Sequence, residues 1–355
     1  MFKMLLLPAL EGDCIVLEYG RKDHPHRVLI DGGRKETRTA ISDYVAGLPP
    51  GEQDFDLIVV THIDNDHIEG VLAFLPSVPD TTEVWFNGPD QLKKTPPPPP
   101  GPPGLARGIP EGNRLLGGLR GLPWNTQFGR GAVAAWQPPV TLEGGLKLTV
   151  LSPDKPALKR LEHDWKAIST AAGLERGTLS RPVTAARPFV PPAGPDDIRK
   201  LADPSVFDGD GSATNQSSIA LLAEYGGKRV LLGGDAFADT LLTSLEASQA
   251  SGGSAGVPID LVKLPHHGSD GNTSVDLLEF MGCDRFAVST NGGGHHHPDP
   301  ACIARIITRR RDAQLLFNYR STETACWDDP GWKAEFGYSA TYPAPDRQGW
   351  LTIEV

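Results

Sequence analysis

The apolar residues of this chain fall into short runs divided by turn residues, not into long amphipathic stripes. Met4 to Leu7, Cys14 to Tyr19 and Val28 to Ile30 come first and read as strands, the third stopping at Asp31-Gly32-Gly33. A helical period from about Thr37 to Ala46 follows, then a buried strand, Leu57 to Val60, a helix from Ile68 to Leu75 and a strand from Glu83 to Phe86. There the pattern breaks. From Gly88 to about Pro139 (residues 88–139) Pro and Gly dominate, including Pro96 to Pro100 and Gly101-Pro102-Pro103-Gly104, which suit neither a helix interior nor a sheet ladder. This stretch predicts an insertion over the core. Lys147 to Val150 resumes a strand and Ala157 to Ala171 a helix, before a second Pro-rich connection runs from Arg181 to Pro195 and on to about residue 215.

Regular alternation then returns. Strands are expected at Ser218 to Ala223, Arg229 to Leu232, Leu261 to Leu264, Arg285 to Ser289 and Gln314 to Phe317, with helices at about Ala238 to Ala247, Ser274 to Met281 and Pro300 to Arg311. Strands between helices, after an opening of consecutive strands, predict an α/β chain with two mixed sheets in a sandwich and helices on both outer faces, a four-layer αββα arrangement. The expectation is a single domain over 1–355, without internal repeats.

Composition narrows the function classes. With 355 residues, 39% of them apolar, a sizeable core needs no staples, and Cys14, Cys283, Cys302 and Cys326 are too scattered for a disulfide framework. Reduced thiols fit a cytoplasmic location. The Leu5-Leu6-Leu7 run is too brief for a signal peptide, and no run of about 18 apolar residues suggests a membrane span. A net charge of −10 argues against coating nucleic acid through a general basic field, so an anionic substrate must be held locally. The densest basic stretch, Arg305 with Arg309-Arg310-Arg311, reads as a solvated helix C-terminus.

The chemistry-bearing motif is His62-Ile63-Asp64-Asn65-Asp66-His67, just after a strand. His62, Asp64 and Asp66 are spaced by two, so an extended loop would point them one way, with His67 coming round as the helix begins. A helix N-cap by Asp66 with incidental histidines is the plainer reading, but four such residues at these positions arise by chance in roughly one chain in a thousand. Three later segments also end strands with polar groups: Gly233-Gly234-Asp235, Pro265-His266-His267-Gly268-Ser269, and Asn291 to Pro298 with His295, His296 and His297. Open sheets hold ligands at such ends.

The string His62 to His67 resembles the HxHxDH signature of metallo-β-lactamase-fold hydrolases, in the variant with Asp as the second histidine. With Gly-Asp, His-His-Gly-Ser and His-Pro following, it is similar to the hydrolase domain of ComEC-type DNA-uptake proteins and their stand-alone soluble relatives. The matching stretches are Asp31-Gly32-Gly33, His62 to Gly70, Asn215 to Asp235, Lys263 to Ser269 and His297-Pro298. The resemblance implies the metallo-β-lactamase sandwich and two divalent metals, zinc first, with manganese or iron compatible with the oxygen-rich shell. It assigns His62 and Asp64 to one metal, Asp66 and His67 to the other, Asp235 between them, and His266 or His267 to complete a shell. The family's third-motif histidine has no counterpart near Asn215 to Ser218. His297 is a ligand or a proton donor, Asp66 and His297 are the catalytic candidates, and His295 and His296 read as exposed loop residues. The implied activity is hydrolysis of a phosphodiester in a nucleotide or nucleic acid. Hydrolysis of a lactone, thioester or β-lactam is the alternative, and a non-catalytic, metal-stabilised binding module the third reading.

Overall fold

The computed structural model describes residues 1–92, 109–174, 188–249 and 256–355. Its strands, in chain order, are β1 (Phe2–Leu6), β2 (Ile15–Arg21), β3 (His24–Ile30), β4 (Leu57–Val59), β5 (Glu83–Trp85), β6 (Val140–Thr141), β7 (Lys147–Ser152), β8 (Ala220–Tyr225), β9 (Lys228–Leu232), β10 (Val257–Pro258), β11 (Leu261–Lys263), β12 (Met281–Gly282), β13 (Arg285–Val288), β14 (Gln314–Phe317), β15 (Ser339–Thr341) and β16 (Leu351–Glu354). One sheet runs β16-β1-β2-β3-β4-β5, the other β15-β14-β13-β11-β9-β8-β7-β6, and β10 pairs with β12. Both large sheets are mixed: β3, β4 and β5 are parallel, as are β9, β11, β13, β14 and β15.

Alternation along the strands explains the layering. In β3 and β4, Val28, Ile30, Leu57 and Val59 meet Leu221, Val230, Leu232 and Leu261 of the second sheet in a shared central core. The intervening Leu29 and Ile58 face outward, onto the helices Ala40–Ala46, Asn65–Phe74 and Lys155–Leu174. Likewise Leu222, Leu231, Val262 and Phe286 face outward onto Ala238–Gln249, Val275–Phe280 and Pro300–Arg309. Three apolar layers between four layers of secondary structure make the αββα sandwich; runs buried on both faces read as continuous apolar stretches because neighbouring residues serve different cores.

Several expectations change. The Pro run from 96 to 104 lies outside the described residues, but from Ile109 onward the expected insertion joins the fold. Ile109 and Leu115 of the helix Ile109–Gly118 are buried in the outer core, and the Trp124 indole N–H donates to the Phe86 carbonyl. A high Pro and Gly content masked that local amphipathic spacing. In the second Pro-rich connection, 181–187 lie outside the described residues, while Ile198 of the helix Pro195–Leu201 is fully buried. Arg305 is not solvated: it is buried, its Nη1 donates to the carbonyls of Asp270 (2.7 Å) and Thr273 (3.2 Å), and its guanidinium lies 5.2 Å from the Phe207 ring centre. Arg310 likewise donates to the carbonyls of Leu278 and Met281. The described cysteines are free thiols, and among the described residues no helix is long and apolar enough to cross a membrane.

Candidate metal centre

The C-terminal ends of β4, β9 and β11 open on one end of the sandwich, each extended by a polar loop. After β4 the chain continues through Thr61, His62 and Ile63 to Asp64, which occupies the N-cap position of the helix Asn65–Phe74 with extended dihedrals (φ −68°, ψ 144°) and no side-chain cap bond. The spacing-by-two argument therefore holds for His62 and Asp64 only. Asp66 and His67 lie on the first helical turn, and Asp66 is not the cap. Gly32 and Gly70 bring this helix against the loop after β3: a Cβ on Gly70 would sit 1.8 Å from the Gly32 carbonyl oxygen, so only glycine allows the approach. The Gly32 amide donates to the His67 carbonyl across that contact.

The loops after β9 and β11 are tied by a bond from the His266 amide to the Gly234 carbonyl, 2.8 Å. Gly234 has φ +50°, and a Cβ there would lie 2.4 Å from Ser218 Oγ. His266 and His267 both have positive φ, 47° and 56°, a conformation that non-glycine residues adopt at a cost. That strained turn sends both imidazoles toward Asp235.

Four imidazoles surround the Asp235 carboxylate, two on each oxygen. Oδ2 is 3.4 Å from His62 Nε2 and 3.8 Å from His266 Nε2; Oδ1 is 3.4 Å from His67 Nε2 and 3.8 Å from His267 Nε2. Every Nδ1 already has an acceptor. That of His67 donates to Asp31 Oδ2 (2.8 Å), that of His267 to the Ser289 carbonyl (2.9 Å), and that of His266 to Asn272 Oδ1 (2.9 Å). His62 Nδ1 donates to Thr61 Oγ1 (2.9 Å), whose own proton goes to Asp31 Oδ2 (2.7 Å). With each Nδ1 so engaged, the four Nε2 atoms are left facing the Asp235 carboxylate, and those of His67 and His267 face each other at 3.2 Å; unprotonated, each would present a lone pair. Such an arrangement repels itself unless positive charge lies between.

The carboxylates add to that demand. Asp66 Oδ2 lies 3.6 Å from His267 Nε2 and 3.9 Å from His67 Nε2, and Asp64 Oδ2 lies 3.9 Å from His62 Nε2. His62 Nε2, Asp64 Oδ1 and Asp235 Oδ1 are buried with no hydrogen-bond partner. Burial resists charging His67, but Asp235 and Asp31 raise its pKa well above the imidazole range; His266, opposed by burial and supported by Asp235 and Asp210, is pushed up to about 10. Burial favours a neutral Asp235, yet the histidines hold its pKa well below the usual carboxylate value, while burial, with Asp66 and Asp235 adding to it, raises that of Asp64. Imidazole and carboxylate donors in this field suit divalent cations.

His62, Asp64, Asp66, His67, Asp235, His266 and His267 thus converge, and His266 and His267 both face Asp235. His297 does not join them. It packs against His266, ring centres 5.0 Å apart, with Nδ1 3.2 Å from Asp299 Oδ2, and burial lowers its pKa. His296 pairs with Glu323 at 2.8 Å, and His295 stacks on His297. Where the resemblance leads one to seek a third-motif histidine, Asn215 donates to Asp210 Oδ2 and lies 3.4 Å from His266 Nδ1. Thr61, Asp210, Asn272 and Ser289 went unnoticed in the sequence as partners of these histidines. They lie far from them along the chain or are ordinary loop residues, and only the pairing of parallel strand ends brings them in.

Comparisons with protein-family profiles and with curated proteins find no match. Among solved structures the chain is similar to the metallo-β-lactamase-fold protein YhfI from Bacillus subtilis (11% identity, TM-score 0.42, covering 100% of this chain and 99% of that one). It is also similar to Zn2+-bound PqqB from Methylobacterium extorquens (10%, TM-score 0.41, 99% and 100%). A third, CmlA, a diiron β-hydroxylase from Streptomyces venezuelae, aligns at 13% identity and a TM-score of 0.42 over 99% of this chain, which spans 54% of CmlA. At this distance the alignments carry no functional argument, which rests on the site itself.

Proposed function

We propose that the chain is a dinuclear metal-dependent hydrolase acting on a phosphodiester, a member of the metallo-β-lactamase-fold hydrolases related to ComEC-type hydrolase domains and their soluble relatives. The observation that carries the two-metal reading is the division of Asp235: one oxygen faces His62 and His266, the other His67 and His267. One metal would be held by His62, Asp64 and His266, the other by Asp66, His67 and His267, with Asp235 bridging. His266 then takes the part of the missing third-motif histidine. Two bound divalent cations supply a water of near-neutral pKa and polarise a substrate oxygen.

The chain's own residues prepare that chemistry. Asp31, Thr61, Asn272 and the Ser289 carbonyl fix each imidazole with Nε2 free to coordinate, as outer partners of metal-binding histidines do. Thr214 Oγ1 donates to Asp64 Oδ2 at 3.3 Å, orienting the carboxylate that replaces a histidine. His297, paired with Asp299 at the edge of the cluster, is the residue proposed to move a proton to or from the substrate. The phosphodiester assignment rests on the motif resemblance and on the suitability of paired cations for in-line displacement.

The test is an assay of zinc- and manganese-loaded protein on bis(p-nitrophenyl) phosphate and short oligonucleotides, beside a lactone, a thioester and a cephalosporin. Chelator-sensitive turnover of the phosphodiesters is expected. Turnover confined to the esters or the β-lactam would overturn the substrate class, and inertness toward every class with two metals bound would favour a binding module.

A further inference from the structure

Lys263 enters the central apolar layer from β11, on the same strand face as Leu261, and is closed to solvent. Its ammonium donates to Asp13 Oδ2 at 2.6 Å and to the Leu264 carbonyl at 3.1 Å. Asp13, also buried, comes from the loop between β1 and β2, so the pair bridges the two sheets. A buried ion pair of this kind gains little over apolar packing, because desolvating both charges offsets their attraction. Its surroundings suggest a use. The second oxygen of Asp13, Oδ1, has no hydrogen-bond partner and lies 3.4 Å from His267 Nδ1. The Asp13 amide donates to the Asp66 carbonyl, and the Ser289 hydroxyl donates to the carbonyl of neighbouring Gly12 while the Ser289 carbonyl accepts from His267. Asp13 therefore touches both Asp66 and His267, which share one of the two proposed metal positions. At His67 the facing carboxylate, Asp31, is met by the amide and hydroxyl of Thr61, and at His266 that of Asp210, 3.4 Å from Nδ1, by the side-chain amides of Asn215 and Asn272.

We propose that Lys263 is a positioning residue that acts through Asp13 on His267 and Asp66, and so sets the affinity of the Asp66–His67–His267 metal position separately from the His62–Asp64–His266 position. The inference rests on the two-metal reading above. Lys263 holds one oxygen of Asp13 at 2.6 Å and leaves the other turned toward His267 Nδ1 at 3.4 Å. The charged carboxylate in turn makes His267 a stronger donor.

The experiment titrates Zn2+ into the full-length chain against a chromophoric chelator, for wild type, Lys263→Met and the charge-neutral double variant Asp13→Asn/Lys263→Met, with urea unfolding of each metal-free protein. The single variant leaves a buried carboxylate unpaired and is expected to lose folding stability; the double variant removes that problem and keeps the test open should the single one fail to fold. Wild type is expected to bind two zinc ions. The double variant is expected to bind the first as wild type does and the second about 10–100-fold more weakly. Wild-type affinity at both positions in the double variant, or equal weakening of both, would overturn the inference while leaving the two-metal reading intact. Fewer than two zinc ions on wild type would overturn that reading and this inference with it.

Discussion

Asp31 Oδ2 lies 2.8 Å from His67 Nδ1, with both side chains closed to solvent. The same carboxylate accepts from the amide and hydroxyl of Thr61, so one residue at the end of β3 sets the imidazole on the neighbouring helix and the loop after β4. Through the Thr61 hydroxyl it also reaches His62 Nδ1. The two histidines of the opening motif thus share an orienting group, and their Nε2 atoms address different oxygens of Asp235. The centre is built from strand ends outward, and the predictions follow from which residue each proposed metal depends on.

Asp235→Ala removes the only group whose two oxygens face both histidine pairs among the described residues. It is expected to lower metal content at both positions, with zinc falling from two per chain to below one after dialysis at micromolar free zinc. Two zinc ions retained by the variant, measured by elemental analysis, would contradict the bridging role.

His266→Ala and His267→Ala should separate the two positions. Each is expected to leave one metal bound and to cost activity by at least two orders of magnitude, since a two-metal clamp needs both cations. Cobalt titration reads the stoichiometry, one ion in each variant against two in wild type. A normal two-metal titration for His266→Ala would return that histidine to a role outside the ligand set.

His297→Gln keeps the side chain's bulk and removes its proton-transfer capacity. Because His297 contacts His266 and not Asp235, the variant is expected to bind both metals as wild type does while kcat falls by about 10²–10⁴-fold. Loss of a metal would show that His297 coordinates; unchanged kcat would remove it from the reaction.

Gly70→Ala would drive a methyl group into the Gly32 carbonyl. The contact is backbone to backbone, so neither side can rotate away, and the expected loss is about 3 kcal/mol in urea unfolding, at the upper end of overpacking effects. Metal affinity should fall as well, since the same contact seats the helix that carries Asp66 and His67. A loss under about 0.5 kcal/mol, typical of surface changes, would mean that the loop after β3 yields freely.

The sandwich was legible because apolar strands announce themselves: Leu57 to Val60, Arg229 to Leu232 and Gln314 to Phe317 all lie within a residue or two of the observed β4, β9 and β14. The strands Ser339–Thr341 and Leu351–Glu354 were not, since they are short, largely polar edge strands whose place is decided by pairing with β14 and β1. At the centre, the histidines and Asp235 could be picked out one by one, but not their division between the carboxylate oxygens. That depends on the left-handed turn at His266 and His267, which nothing in their residue types predicts. Arg305 departs from its expectation for a related reason: its charge suggests solvent, whereas carbonyls of the loop after β11 supply its partners.

Metal removal tests the centre as a source of stability. The three apolar cores are made without the site residues, so a chelated protein is expected to keep its secondary structure by circular dichroism. Stripped of cations, however, Asp64, Asp66 and Asp235 remain beside imidazoles whose Nδ1 atoms are already committed, and several of their buried atoms have no partner. A ligand present at a thousand times its Kd adds about 4 kcal/mol to the native state, which for a chain of this size corresponds to a shift in Tm on the order of 5–10 °C. Chelation should lower Tm by that amount and added zinc should restore it, whereas magnesium, which prefers an all-oxygen octahedral shell, should restore little. An unchanged Tm after verified metal removal would mean that the charge at the centre is met by protons on the histidines alone.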